Sequence, residues 1–172
     1  MFCEFSLAKE EAEQLLALLS KDCLTLAFAE SCTGGLAAAS LVNLPGASAV
    51  FFGSVVAYDN SVKERLLHVA RQTLETEGAV SAACAAQMAR GARLALGTSL
   101  AVSVTGIAGP GGGSAEKPVG LVYIGVDSPA GTRTLKLMLG ELGSRDAVRA
   151  ESVRRMMTEA IAEIRRLHSE RK

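Results

Sequence analysis

The stretch "LTLAFAESCTGG", residues 24–35, decides the fold class of this chain. Its first six residues form a short apolar run, typical of a strand buried within a sheet. Glu30 ends that run, and small polar side chains and two glycines lead at once into an alanine-rich helix pattern. A buried strand that turns directly into a helix predicts an α/β fold. The turn is either a tight connection or the floor of an active site, and the residues alone leave both interpretations open.

The rest of the chain continues this alternation of helices and strands. Apolar residues at helical spacing predict a first helix over residues 7–21. The last two predicted strands form an antiparallel hairpin. Together the patterns predict an α/β sandwich with a mixed sheet of about five strands. The predicted strands are 24–29, 49–58, 99–106, 119–128 and 132–139, and the later helices are 34–44, 59–69, 71–78, 82–96 and 145–167.

Length and composition exclude several classes of function. A chain of 172 residues predicts a single domain, residues 1–172. Lys plus Arg equals Asp plus Glu at 18 each and tryptophan is absent, so nucleic acid is not an expected partner. The chain has no membrane-spanning apolar run and no signal-peptide pattern, so we expect no membrane partner and a cytoplasmic location.

The cysteines and histidines do not predict a metal site. The four cysteines form no C-x-x-C pair, and the chain has two histidines. We therefore expect neither a metal nor a cofactor. We expect a homodimer, because closed two-fold dimers are the commonest oligomers. Either the half-exposed strand at 132–139 or the alanine-rich helix at 82–96 could form its interface.

Three polar segments follow the predicted parallel strands. They are "ESCTGG" at 30–35, "YDNSVK" at 58–63 and "TGIAGPGGGSAEKP" at 105–118. In open α/β sheets, ligands bind beyond the carboxyl ends of the parallel strands. The three segments are therefore predicted to converge on one site.

Glycines and a helix start within these segments favour an anion. Five glycines occur between residues 106 and 113, and such backbone can cradle a phosphate. The spacing matches no known phosphate-loop motif, and a passive surface loop is the alternative. Thr33 and Gly34 begin a helix, where free N–H groups attract anions. The alternative there is a packed turn capped by Ser31 or Thr33.

The residues that could act as nucleophile or base are few. Cys32 has no basic neighbour in sequence to activate it, so we interpret it as a packing residue. Lys63 is either a surface lysine or a general base in a dry pocket, and sequence alone does not separate the two. A Ser-His-Asp triad is improbable because the two histidines lie in helices away from these segments. A Ser-Lys pair is the natural alternative.

The motifs "AESCTGG", "PGASAVFFGSVVAYDNSVKERLL", "SVTGIAGPGGGSAEKPVGLVYIGV" and "SRDAVR" closely resemble the CinA C-terminal domain family, over about residues 8–168. That family includes stand-alone nicotinamide-nucleotide amidases. The resemblance implies a three-layer α/β/α sandwich with a mixed, mostly parallel five-stranded sheet. It also implies hydrolysis of nicotinamide mononucleotide to nicotinate mononucleotide and ammonia, by a Ser-Lys dyad without a metal, in the pyridine nucleotide cycle that recycles NAD.

The resemblance, together with a hypothesis about the mechanism, assigns a role to each residue of the site. Ser48 would be the nucleophile and Lys63 the base, with Tyr58 beside them, and Ser31 is the second choice of nucleophile. Glu30 would face the positive pyridinium ring. Glycine-rich backbone, helped by a cation such as Lys117 or Arg145, would hold the phosphate. The other substrate-binding residues would be Ser31, Thr33, Gly34, Asn60, Thr105, Gly106, Gly109, Gly111, Gly112, Lys117 and Arg145.

This sequence departs from the family's pattern at two positions. Many members have two serines in a row where this chain has Ala47 and Ser48, which supports Ser48 as the functional one. Many have a glycine in place of Ser54, so a bend there could differ. Larger members carry a molybdopterin-binding-like domain before this one, which we do not expect here. There are two alternative functions. The chain could be a non-catalytic module that binds a nucleotide phosphate, or an amidase for another substrate.

Overall fold

The computed structural model describes residues 7–169. The helices are α1 (Lys9–Lys21), α2 (Leu36–Val42), α3 (Asn60–Leu67), α4 (Arg71–Thr76), α5 (Ala82–Leu96) and α6 (Arg145–Ser169). The strands are β1 (Leu26–Glu30), β2 (Phe51–Val56), β3 (Leu100–Gly106), β4 (Leu121–Ser128) and β5 (Gly131–Met138). Short 3₁₀ turns span Ala47–Ala49 and Gly140–Leu142.

The five strands form one mixed sheet in the order β2-β1-β3-β4-β5. β1 pairs in parallel with both β2 and β3. β4 pairs antiparallel with β3, and β5 returns antiparallel to β4 as a hairpin. Four strands therefore run in one direction, and the mixed, mostly parallel sheet predicted from the sequence is confirmed.

Helices cover both faces of the sheet, as the predicted three-layer sandwich requires. Alternate residues of β1 enter different cores, because successive side chains of a strand point to opposite faces. Leu26 and Phe28 pack in a large core with residues of α1, α2 and α6. Ala27 and Ala29 pack in a smaller core with residues of α3 and α5.

Small residues bring α5 unusually close to the sheet. A Cβ added at Gly125 in β4 would lie 2.3 Å from the carbonyl oxygen of Ala85, so only glycine fits there. Ser103 in β3 donates a hydrogen bond to the same oxygen at 2.6 Å. The backbone of α5 at Ala85 therefore contacts both β3 and β4 directly.

A buried ion network joins α6 to the hairpin. Glu163 is 1% exposed and accepts hydrogen bonds from Ser128, Arg133 and Arg166. Burial by itself would raise the pKa of Glu163, but these donors outweigh it and lower the pKa to about 2. The network fixes the C-terminal half of α6 against β4 and β5.

Within residues 7–169, no helix is long and apolar enough to cross a bilayer. The same residues contain no group of three His, Cys, Asp or Glu side chains placed to hold a metal ion.

Candidate active site

A pocket of about 280 Å³ opens at the carboxyl ends of β1 and β3. All three polar segments that follow the parallel strands contribute to it, as the strand directions predicted. Its lining residues are Ser31, Cys32, Tyr58, Asn60, Lys63, Ala79, Val80, Thr105, Gly106, Ile107, Ala108, Gly109, Gly111, Gly112 and Arg145.

Lys63 is the chemically most unusual residue of the pocket. Its side chain lies in α3 and the residue is 1% exposed. The Nζ donates to the carbonyl oxygens of Ala57 and Tyr58 at 2.8 and 2.9 Å, and no carboxylate lies within ion-pair distance in the described chain. Burial lowers the pKa of Lys63 below its ordinary value. The structure thus favours the dry-pocket interpretation of this lysine over the surface one.

Ser31 lies in the same pocket because β1 ends one residue before it. Glu30 points to the α2 face, so the next side chain points to the α5 face, where Lys63 also lies. The Ser31 N–H donates to the carbonyl oxygen of Val104 at 3.1 Å, which holds the turn against β3. Ser31 is 9% exposed and lines the cavity. A hydroxyl and a buried amine of one chain therefore share one cavity.

Glu30 is not a substrate carboxylate in this structure, which corrects the role proposed from the sequence. It is fully buried and faces α2. One carboxylate oxygen accepts from Thr33 Oγ1 and from the N–H groups of Gly35 and Ala37, at 2.7 to 3.1 Å. The other accepts from the Ala38 N–H and the Ser54 hydroxyl, both at 3.0 Å. These five donors leave no room for a pyridinium ring.

The start of α2 is likewise not available as a phosphate site, contrary to the expectation for Thr33 and Gly34. The anion that its N–H groups bind is the chain's own Glu30 carboxylate. Thr33 is buried, and neither residue lines the pocket. Ser54 completes this arrangement from β2, so the serine that replaces a glycine of the family pattern has a defined hydrogen-bonding role.

Ser48 does not meet Lys63 within one chain. It lies in the exposed 3₁₀ turn before β2, whereas Lys63 follows the other end of that strand. β2 has six extended residues, so its two ends lie about 20 Å apart. Ser48 lines a different cleft of about 440 Å³ together with Val42 and Phe52. The sequence prediction that Ser48 and Lys63 form a dyad is therefore not met within a single subunit.

The glycine-rich loop divides into packing and pocket positions. A Cβ at Gly109 would lie 2.5 Å from Val119, and one at Gly106 would lie 2.9 Å from the carbonyl oxygen of Leu121. Both glycines line the pocket, and both are also required for close packing. Gly111 has open space around it, so its backbone is accessible to a ligand.

Arg145 closes one side of the pocket. Its guanidinium donates to the Gly109 carbonyl at 2.8 Å and lies 3.4 Å from the Tyr58 hydroxyl. Lys117, the other predicted phosphate partner, instead donates to the carbonyl oxygen of Glu77 and does not line the pocket. Arg145 is therefore the pocket's exposed cation, and the proposal that Lys117 contacts a phosphate is not supported by its position.

Thr105 and Asn60, two of the predicted substrate-binding residues, line the pocket. The Thr105 hydroxyl donates to the Ala79 carbonyl at 2.8 Å, which fixes the turn before α5 to the end of β3.

Burial raises the pKa of the Cys32 thiol to about 11, so the thiol stays protonated and is a poor nucleophile.

Arg149 is a residue that the sequence reasoning missed. From α6 it donates to the carbonyl oxygens of Cys32 and Thr33 at 3.1 and 3.0 Å. It thereby holds the turn that carries Ser31. Arginines are frequent in α6, and no local pattern distinguishes this one from its neighbours.

The comparisons with known proteins identify the family. The model of the CinA C-terminal domain family matches residues 8–165. A "CinA-like protein" of Dictyoglomus thermophilum is 58% identical over 114 residues, 66% of this chain and 28% of that protein. A "putative competence-damage inducible protein" of Caldanaerobacter subterraneus is 49% identical over 87% of this chain and 36% of its own length. The chain thus spans about a third of these relatives.

Solved structures of similar proteins share the fold over nearly the whole of this chain. The competence/damage inducible protein CihA from Agrobacterium tumefaciens is 40% identical, with a TM-score of 0.88 over 94% of this chain and 97% of that one. A CinA superfamily protein from Klebsiella pneumoniae is 30% identical, with a TM-score of 0.87 over 92% of this chain and 98% of that one. The family match, these relatives and the shared five-stranded sheet lead to one conclusion: the chain belongs to the CinA C-terminal domain family.

Proposed function

We propose that this chain is an amidohydrolase that converts nicotinamide mononucleotide and water to nicotinate mononucleotide and ammonia. The observation that carries the proposal is the buried amine of Lys63 in one cavity with the Ser31 hydroxyl. A desolvated lysine with a lowered pKa is a competent general base for a serine nucleophile. The family resemblance supplies the substrate.

Ser31 replaces Ser48 as the proposed nucleophile. Neutral Lys63 would remove the Ser31 proton as the oxygen attacks the carboxamide carbon. The C–N bond would then break, with the proton passing from Lys63 to the leaving nitrogen to give ammonia. A water molecule, deprotonated by the same amine, would hydrolyse the acyl-enzyme ester, release the carboxylate and restore the Ser31 hydroxyl.

The substrate would extend from this pair towards the pocket mouth. Arg145 and the open backbone at Gly111 and Gly112 are the groups proposed to bind the phosphate. Because Glu30 is occupied by its own hydrogen bonds, the aromatic face of Tyr58 is the proposed contact for the positive ring.

The test is the release of ammonia from nicotinamide mononucleotide by the purified protein and its variants. Ser31→Ala and Lys63→Ala should each lower kcat by about 100-fold or more, because each removes a group used in every chemical step. Ser61→Ala is the matched control, since that exposed serine lies in α3 outside the pocket.

Three results would reject parts of the proposal. Binding of the nucleotide without any turnover would favour the non-catalytic module. Full activity of Ser31→Ala together with loss of activity in Ser48→Ala would show that the nucleophile is Ser48. Turnover of a different amide-bearing nucleotide alone would keep the chemistry and change the substrate.

A further inference from the structure

The β2 edge of the sheet is open and uncharged. β2 pairs with β1 on one side, and no other strand of the described chain pairs with its second side. Residues 44–58, which include all of β2, contain no charged side chain. The opposite edge, β5, carries Arg133 and Lys136, which protect an exposed edge from pairing. The β2 edge has no such protection.

Large apolar side chains are exposed along the same edge. Phe52 and Val56 in β2 are 54% and 46% exposed. Val42, beside Phe52 in the Ser48 cleft, is 57% exposed, and Tyr58 just beyond the strand is 64% exposed. A strip that combines free backbone hydrogen-bonding groups with apolar side chains is self-complementary and brings no like charges together.

We propose that β2 pairs antiparallel with β2 of a second copy of this chain, about a two-fold axis close to Gly53 and Ser54. An antiparallel pair places the start of one strand beside the end of the other. The partner's 47–49 turn then lies beside Tyr58 and Asn60, at the mouth of the Lys63 pocket. Each active site is completed by the other subunit, and Ser48 reaches the site in this way.

The pocket's shape agrees with a contribution from a partner. Its volume of about 280 Å³ lies just below the usual range of small-molecule sites, which begins at about 300 Å³. Tyr58 stands largely exposed at its mouth, although its hydroxyl lies near Arg145. A second chain at this position would bury Tyr58 and deepen the site. The pairing rests on the fold alone, and the assignment of the pocket as catalytic rests on the proposed function.

Sedimentation velocity tests the interface without reference to activity. The unmodified protein should be a dimer, and Phe52→Asp should be a monomer because it places a charge in the paired edge. Met138→Asp is the matched control, since Met138 is 53% exposed at the β5 edge. It should remain a dimer. A monomeric parent protein, or a dimer broken by Met138→Asp and not by Phe52→Asp, overturns the proposal.

Cross-linking tests the antiparallel register. A mixture of Ser48→Cys and Tyr58→Cys chains, treated with a short bismaleimide, should give a linked dimer on a denaturing gel. The parent protein and each single variant, treated alone, are the controls for the native cysteines. Links no more abundant than in those controls would show that the 47–49 turn does not lie beside Tyr58 of the other subunit.

Mixed subunits test whether the partner acts in the site. Ser48→Trp should block the pocket of the partner subunit, and Lys63→Ala removes the base of its own pocket. Each variant alone should be inactive, whereas a subunit-exchanged mixture should regain roughly one quarter of the parent activity, since half the dimers hold one intact site. No recovery, or full activity of Ser48→Trp, overturns the shared site. A parent protein that releases no ammonia instead rejects the proposed function, and the first two tests still decide the interface.

Discussion

Lys63 combines burial with hydrogen bonds to backbone carbonyls, and these two features act in opposite directions. Desolvation penalises the ammonium form, whereas the carbonyls of Ala57 and Tyr58 can accept hydrogen bonds from it. The balance lowers the pKa of Lys63. A lowered pKa is what a lysine needs to act as a base near neutral pH.

Activity should therefore rise as pH rises through the pKa of Lys63 and fall on the acid side, where the amine is protonated. We expect Lys63→Arg to be inactive at all pH values, because a guanidinium cannot be deprotonated in a protein. The measurement is kcat/KM against pH for the parent protein, with circular dichroism to show that the arginine variant folds. A profile that stays flat over the whole pH range in which the protein is folded would contradict the role of Lys63 as base.

Glu30 acts on stability and on the shape of the turn. Its carboxylate gathers five donors from three elements and is fully buried. We expect Glu30→Gln to lower the free energy of unfolding by about 3 kcal/mol, because the amide NH₂ would face N–H and O–H donors. Urea unfolding measures this loss, with exposed Glu64→Gln as control. Equal stability of the two variants would contradict the structure.

At the scale of elements, the loop after β3 has glycines in two different environments, one tightly packed and one open. A Cβ at Gly113 would lie 2.8 Å from the Val119 backbone nitrogen, whereas one at Gly111 would meet nothing within 4 Å. A glycine required by close packing and a glycine in open space look the same in a sequence. Contacts with Val119 separate them.

Gly113→Ala and Gly111→Ala should therefore have different effects, the first on stability and the second on substrate binding. Gly113→Ala should lower the unfolding free energy by about 1–3 kcal/mol, since backbone must move to admit the methyl group. Gly111→Ala should change stability by less than about 0.5 kcal/mol and raise KM, because its methyl group enters the proposed phosphate site. Thermal unfolding and steady-state kinetics measure the two effects. A normal KM for Gly111→Ala would remove this loop position from the substrate site.

At the scale of the whole molecule, Glu163 links the longest helix to the hairpin at the far edge of the sheet. Its pKa of about 2 lies below the ordinary value of 4.5. The stabilisation is present above pH 4.5 and is lost as pH falls towards 2. A shift of this size corresponds to about 3 kcal/mol.

Glu163→Gln should therefore destabilise the protein by about 3 kcal/mol at neutral pH, and the difference from the parent should shrink as pH falls towards 2. Urea unfolding at several pH values measures it. Exposed Glu116→Gln should follow the parent at every pH. A loss that is independent of pH would mean that packing and not charge holds α6 to the hairpin.

Most of the fold could be predicted because local patterns carry it. The apolar run before Glu30 predicted a buried strand, and β1 is buried at all five positions. The hairpin of β4 and β5 followed from alternation and a short turn. The convergence of residues 30–35, 58–63 and 105–118 followed from strand direction alone.

The details of the site could not be predicted in the same way. Which side of β1 each residue of "ESCTGG" faces depends on where the strand ends, and that boundary placed Glu30 against α2 and Ser31 in the pocket. Arg149 reaches the turn from 116 positions along the chain, a contact with no local pattern.

The sequence by itself determined the α/β class, the mixed sheet and the edge at which the polar segments meet, because periodicity and strand direction are local properties. Tertiary structure alone decided that the Glu30 carboxylate fills the start of α2 and that Ser31 shares a cavity with buried Lys63. These facts depend on which faces of distant elements meet, and burial and hydrogen bonding set them only once the chain is folded.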